Sequence, residues 1–253
     1  SLTAVGQMLA ARGKRYTLAC DDGMRNRFDY LPQANNVVQK PRQDKGYDLL
    51  IAVDCGDALR MGNAFSKLGE PKPAIINIDH HPTNTLFGEI NLVDSGATST
   101  TEILYELFIC MGDEFGRETA VSLLTGLVTD TLGFRTVGVT ARTMKTASAL
   151  IDAGANLAEI TTTALNLHSE TIVNLWRIGL NKMQMRGKLA WSVITHEELV
   201  SIDYTDPSSA GLVNFLSNID TMGVGVVLFE LSDGAVRVGF RSRPPYDVAA
   251  IAL

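Results

Sequence analysis

Apolar positions over residues 1–13 recur on one helical face, and residues 16–20 then read as a short strand. From Tyr47 to Asp54 the chain is a nearly unbroken apolar run closed by an acid, which predicts a strand buried on both faces. Residues 74–78 repeat the pattern and again lead into an acid, Asp79, after a helical or irregular connection. Strand, crossover and strand in succession predict a parallel sheet. Helices are predicted over 98–111, 117–129 and 141–153, the first opened by the polar stretch around Ser95 and Thr98, the last closed by Asp152-Ala-Gly154. The stretch 156–186 is helical in character, with 170–186 expected as a long connecting helix. Beyond Gly187 the pattern becomes mixed: strands over 188–195, 224–231 and 235–242, helices over 196–203 and 207–219, and a hairpin turn at Ser232-Asp233-Gly234. The expected architecture is α/β, with a parallel-sheet domain over 1–150, a helical connector over 151–186 and a smaller mixed α/β domain over 187–253. Both ends read as interrupted, because a helical pattern starts at Ser1 and another is still under way over 247–253.

Composition narrows the function classes. With 45% hydrophobic and 20% charged residues, the chain falls among soluble globular proteins. Its net charge of -6 argues against a protein that coats long nucleic acid through a broad basic surface, while leaving room for a small anionic ligand in a local basic pocket. Three widely spaced cysteines, Cys20, Cys55 and Cys110, form no CxxC pair, which argues against a disulfide framework or structural zinc and for a reducing cytoplasm. No apolar run approaches the roughly 18 residues that a membrane span requires.

Candidate chemistry lies at the ends of the two apolar runs. Ligands of open parallel sheets bind beyond the carboxyl ends of the strands, where Asp54 and the Asp79-His80-His81 triplet would meet. A third acid, Asp130, ends the apolar helix that begins near Arg117. Carboxylate oxygen combined with imidazole nitrogen suits manganese, iron or zinc. An Asp at an element end is ordinarily a cap or turn former. Two of only four histidines standing side by side after a buried strand are harder to assign to packing. Arg135 is placed to reach a phosphate or to pair with a carboxylate, His168 and His196 read as surface or capping residues, and Cys55 reads as a packed thiol. Trp176 is expected at a domain or subunit seam. Over 236–243, Arg237, Arg241 and Arg243 share one strand face by period two, together with Ser242 a candidate phosphate grip, while Val236, Val238 and Phe240 would face the core.

Ile78-Asp-His-His81 resembles the signature of the DHH phosphoesterases, a superfamily of RecJ-type exonucleases, exopolyphosphatases, manganese pyrophosphatases and oligoribonucleases. Val53-Asp-Cys-Gly-Asp57 resembles the family's second motif and Thr125-Gly-Leu-Val-Thr-Asp-Thr-Leu-Gly-Phe-Arg135 its fourth. Gly211-Leu-Val-Asn-Phe215 and the strand 236–243 are similar to its C-terminal substrate-binding domain. The wording is most similar to the oligoribonuclease/phosphoadenosine-phosphate phosphatase group. That resemblance implies two manganese ions, replaceable by magnesium or cobalt, and hydrolysis by a metal-activated water. Asp54 would bridge the ions, His80 and Asp130 would complete one shell, Asp79 would belong to the catalytic set, and His81 would face the substrate phosphate.

The implied substrates are short RNA or DNA oligonucleotides and adenosine 3',5'-bisphosphate, handled by a cytoplasmic protein with no membrane partner that could act as a homodimer. Two family motifs do not appear: the His-Asp-Asp set before a Gly-Ser, of which Ser1 resembles the last residue, and the Gly-rich His motif that closes the C-terminal domain. Hydrolysis of a cyclic or linear signalling dinucleotide or of polyphosphate is the alternative within the family. A nucleotide-sensing or scaffold module that kept the fold but lost catalysis is the alternative of a different functional class. A plain dinucleotide-binding protein is disfavoured, since no GxGxxG opens the first helix.

Overall fold

The computed structural model describes residues 1–24, 26–42, 46–166, 169–205 and 208–248, and divides into two compact units, Ser1–Leu167 and His168–Leu253. The division falls inside the stretch expected as a connector, 151–186, so that stretch is shared between the units.

The first unit opens with α1 (Leu2–Ala11), then β1 (Leu18–Ala19) and β2 (Val37–Val38), which pair parallel. β3 (Leu49–Val53), the short α2 (Gly62–Ser66), β4 (Ala74–Asp79) and β5 (Ile90–Val93) follow, and β3-β4-β5 form a parallel three-stranded sheet. The parallel sheet was expected. Full burial of β3 was not borne out: Leu49 is 45% exposed and only Ala52 is buried, because β3 is an edge strand of this sheet and β4 takes its centre. β2 and β5 carry no apolar run long enough to predict; β5 exposes Ile90 and Leu92, and pairing with β4 alone defines it.

Helices α3 (Thr100–Cys110), α4 (Arg117–Asp130) and α5 (Ala141–Asp152) then supply most of the core, followed by α6 (Leu157–Thr161) and a π turn at Thr162–Asn166. α4 is central, packing on α1, α3, α5 and α6 with Leu123, Leu124, Leu127 and Val128 wholly buried. A helix apolar around most of its girth is stable only in such surroundings. Ser99 rather than Thr98 caps α3, and Thr140 caps α5 through a reciprocal pair with Thr143.

One contact between loop and helix is expected to make the unit's stability acid-sensitive. Asp21 accepts bonds from the Asn63 N–H (2.7 Å), the Asn63 amide and the Ala64 N–H at the start of α2, and these hold its carboxyl below the usual 3.8. A carboxyl whose pKa falls on folding stabilises the protein above its unfolded pKa and loses that contribution as pH drops through the folded value. Asp21→Ala is therefore expected to lower the urea midpoint at pH 7, with parent and variant converging as the pH falls below 3.8. A difference independent of pH would show that the carboxylate's charge plays no part.

The second unit comprises α7 (Glu170–Asn181), β6 (Gln184–Arg186), β7 (Leu189–Ile194), α8 (His196–Ser201), α9 (Leu212–Ser217), β8 (Val224–Glu230) and β9 (Val236–Ser242). Its sheet order is β6-β7-β8-β9, with β7 and β8 parallel and both outer strands antiparallel, the mixed sheet the pattern predicts. The expected long helix ends at Asn181, and 184–186 instead pair with β7; α7 is a packing helix of this unit, burying Leu175 and Gly179. Trp176, expected at a seam, packs inside the unit, with its indole N–H on the Ala210 carbonyl (3.1 Å) and its ring 5.6 Å from Phe215. A Cβ on Gly225 would lie 2.5 Å from the Val213 carbonyl oxygen, so glycine is what lets α9 settle on β8. The Ser232-Asp-Gly234 turn joins β8 to β9 as expected, with Gly234 at a φ of 79°. The predicted terminal helix lies largely outside the described residues, as does His168. Among the described residues no helix is long and apolar enough to cross a membrane.

Candidate metal site

The carboxyl ends of β3 and β4 and the last turn of α4 deliver the expected acids and histidines to one place. Asp54 follows β3 directly and takes a φ of 64°, a left-handed conformation uncommon for a non-glycine residue and tolerated by Asp. Its Oδ1 accepts the Thr100 hydroxyl at 2.8 Å. His80 Nε2 lies 3.6 Å from that oxygen and 4.0 Å from Asp130 Oδ2, so one imidazole stands between two carboxylates from different elements. Asp54, His80 and His81 each offer a ligand atom within 4.8 Å of the others.

Asp79 plays a different part from its neighbours. The carboxylate is fully buried, and its two oxygens are taken by His81 Nδ1 (2.7 Å) and the Asn84 amide (2.6 Å). Against the desolvation that would raise it, these bonds hold its carboxyl below the usual value. Asp79 thus fixes the ring of His81 and leaves the other ring nitrogen for a ligand or substrate. Asn84 also donates to the Cys55 carbonyl, tying the residue after Asp54 to the loop after β4.

The electrostatics fit a cation. Burial first, and then the Asp54 charge, push the Asp130 carboxyl up to about 6. Two acids crowded around an imidazole carry negative charge that a divalent ion would neutralise, and the oxygen and nitrogen donors match manganese, iron or zinc. Burial, followed by the charges of Asp54 and Asp79, pushes the Cys55 thiol up to about 11, in keeping with a packed thiol. At pH 8 its thiolate fraction is then on the order of one in a thousand. Iodoacetamide is expected to label the exposed Cys110 much faster than Cys55, as peptide mass mapping would show; equal rates would refute the raised pKa.

Sequence reasoning missed Thr100 and Asn84. The polar stretch around Ser95 and Thr98 reads as a helix opening, but nothing in it marks Thr100 as a partner of Asp54, and nothing marks Asn84 beyond its place three residues after His81.

Other expected site residues are differently engaged. Arg135 donates from Nε to the Leu132 carbonyl of its own loop at 2.6 Å. On β9 the expected alternation of burial does not appear: Val236 and Val238 are 57% and 39% exposed, Arg237 and Arg241 are exposed as well, and Phe240 is half-buried, while by register Arg237 pairs with the buried Phe229 and Arg241 with Gly225. Directly paired residues share a face. The core face is chosen by the contacts of α9 with β8, which the alternation within an edge strand cannot reveal. Arg243 clamps the carbonyls of Ile219, Asp220 and Met222 behind α9, and Ser242 pairs with Val224 at the end of the ladder.

Parallel strands whose ends gather acids and imidazoles beside a helix terminus form, on an α/β scaffold, a group that could hold a metal ion. A family model described as "DHH family, N-terminal domain" matches residues 3–129, half of the chain, and the chain belongs to the DHH family. It is 35% identical over 212 residues to the bifunctional oligoribonuclease and PAP phosphatase NrnA of Thermus thermophilus, covering 81% of this chain and 60% of the relative. To the protein of the same name from Bacillus subtilis it is 30% identical over 179 residues, covering 68% of this chain and 55% of the relative. The chain thus spans somewhat over half the length of these relatives. The crystal structure of an exopolyphosphatase-related protein from Bacteroides fragilis superposes with a TM-score of 0.87 at 22% identity, covering 98% of this chain and 76% of that chain, which shows a shared fold.

Proposed function

We propose that this chain acts in a metal-dependent phosphoesterase that hydrolyses short oligoribonucleotides and adenosine 3',5'-bisphosphate. The observation that carries the reading is the placement of His80 Nε2 between the Asp54 and Asp130 carboxylates, 3.6 and 4.0 Å away, at the carboxyl end of a parallel sheet. The named relatives support the substrate class.

In this reading Asp54, His80 and Asp130 hold manganese, for which magnesium or cobalt can substitute. When bound, the metal supplies an activated water and neutralises charge developing on the phosphoryl oxygens. Thr100 fixes the Asp54 rotamer, Asp79 orients His81, and His81 presents its free ring nitrogen to the substrate phosphate. Arg135, Arg237 and Arg241 are the candidates for gripping the anionic body of the substrate, and Ser242 contributes at the end of β9. The commitment of Arg243 to backbone carbonyls makes it the weakest of that group. The reading extends to a cytoplasmic protein, in keeping with three free cysteines, and to a homodimer, which light scattering would test.

The deciding experiment is phosphate and mononucleotide release from adenosine 3',5'-bisphosphate and a labelled RNA dinucleotide, with manganese and with chelator. Turnover that needs manganese supports the reading. Failure of the intact protein to turn over either substrate with any divalent metal would overturn it.

A further inference from the structure

The segment leaving β5 is held from outside the candidate site and touches it from within. Asp94 donates its N–H to the Asp79 carbonyl (3.1 Å), and its carboxylate accepts from Nη1 of Arg142, on α5, at 2.7 Å. The same guanidinium grips Glu106 of α3 with two bonds of 2.5 Å. Three bonds from one rigid fork leave Arg142 a single orientation. Asp94 in turn closes a tight turn, accepting the Gly96 N–H on its side chain (2.9 Å) and the Ala97 N–H on its carbonyl (3.1 Å). At the far end the buried Glu102 accepts both the N–H and the hydroxyl of Thr98 at 2.8 and 2.9 Å.

Between these anchors the turn bears on two candidate ligands. The Ala97 carbonyl faces His80 Nδ1 at 3.4 Å, and Thr100 donates to Asp54. A carbonyl only accepts, so this contact places the proton on Nδ1 and leaves the Nε2 lone pair directed between Asp54 and Asp130.

We propose that Arg142 is a positioning residue: by clamping Asp94 it sets the 94–100 turn so that Ala97 fixes the tautomer of His80 and Thr100 the rotamer of Asp54. Arg142 lies outside every motif that carries the family resemblance. The inference rests on Asp54, His80 and Asp130 being the ligand set. A purely structural Arg142, bracing α3 against α5 through Glu106, would leave the His80 tautomer and metal affinity untouched.

The test uses the 253-residue chain labelled with 15N, with His80 assigned through His80→Gln. Long-range proton–nitrogen spectra of the metal-free protein, at a pH where the ring is neutral, read the tautomer directly. The parent is expected to show His80 as the Nδ1–H form. Arg142→Ala and the gentler Asp94→Asn should show a mixture, with manganese affinity by electron paramagnetic resonance weakened about 10- to 100-fold. Arg142→Lys should recover part of the affinity through a single bond to Asp94. Glu106→Gln, which weakens the brace to α3 but keeps the bond to Asp94, should lower the thermal midpoint and shift both readouts less than Asp94→Asn. If Arg142→Ala and Asp94→Asn both fold and keep a single Nδ1–H tautomer and the parent's affinity, the proposal is overturned. If the parent binds no manganese, the ligand reading fails instead, and the metal-free tautomer still decides the role of Arg142.

Discussion

Asp54→Asn is expected to reduce manganese-dependent hydrolysis on the order of a thousandfold while leaving the protein at least as stable as the parent. A bound cation stabilises the transition state by several kcal/mol, and each loss of about 1.4 kcal/mol slows the reaction roughly tenfold, so about three decades follow from a weakened ligand. Stability should behave oppositely for three local reasons. Asn tolerates the left-handed backbone at φ 64° as readily as Asp. Its amide oxygen can still accept the Thr100 hydroxyl. Removing one charge also relieves the repulsion that helps push Asp130 up to about 6. Initial rates on adenosine 3',5'-bisphosphate and urea unfolding of the metal-free protein check the two halves separately. Activity within tenfold of the parent would remove Asp54 from the ligand set, and a large loss of stability would make its role structural.

Leu127→Ala is expected to destabilise the first unit by about 2–5 kcal/mol, the range for truncating a buried leucine. Leu127 is fully buried on α4, the helix that α1, α3, α5 and α6 all pack against, so the surrounding helices have little freedom to collapse into the void. With a urea slope of about 1–3 kcal/mol/M, the midpoint by far-ultraviolet circular dichroism should fall by roughly 1–2 M. Val137→Ala is the control, because that side chain is fully exposed and such changes stay within about 0.5 kcal/mol. A Leu127→Ala midpoint shift no larger than that of Val137→Ala would contradict the assignment of α4 to the centre of the core. Because Asp130 ends the same helix, a weakened core should also loosen one of the candidate ligands.

Much of the site was legible along the chain because local chemistry marks it. An apolar run ending in an acid is a strand delivering a carboxylate, and paired histidines after such a run have few ordinary explanations; this pointed to Asp54, Asp79, His80 and His81, while Asp130, at the end of a helix, stood out only with the motif resemblance. The helices α3, α4 and α5 were legible for the same reason, since their period and their capping residues lie within a few positions of one another.

The tertiary structure decided what depends on partners distant in the chain. β5 is a strand only through its pairing with β4, and β3 is exposed because it lies at the sheet edge rather than the centre. The roles of Asp79 and Asp54 diverge although both end apolar strands, because Asn84 and His81 enclose one carboxylate while Thr100 and His80 leave the other facing Asp130. The inward face of β9 is set by where α9 meets β8, and the clamp of Arg142 on Asp94 joins residues 48 apart. Periodicity and short motifs fix what neighbouring residues can do together. Which of them ends up buried, paired or poised for chemistry is fixed by packing, and packing is not local in sequence.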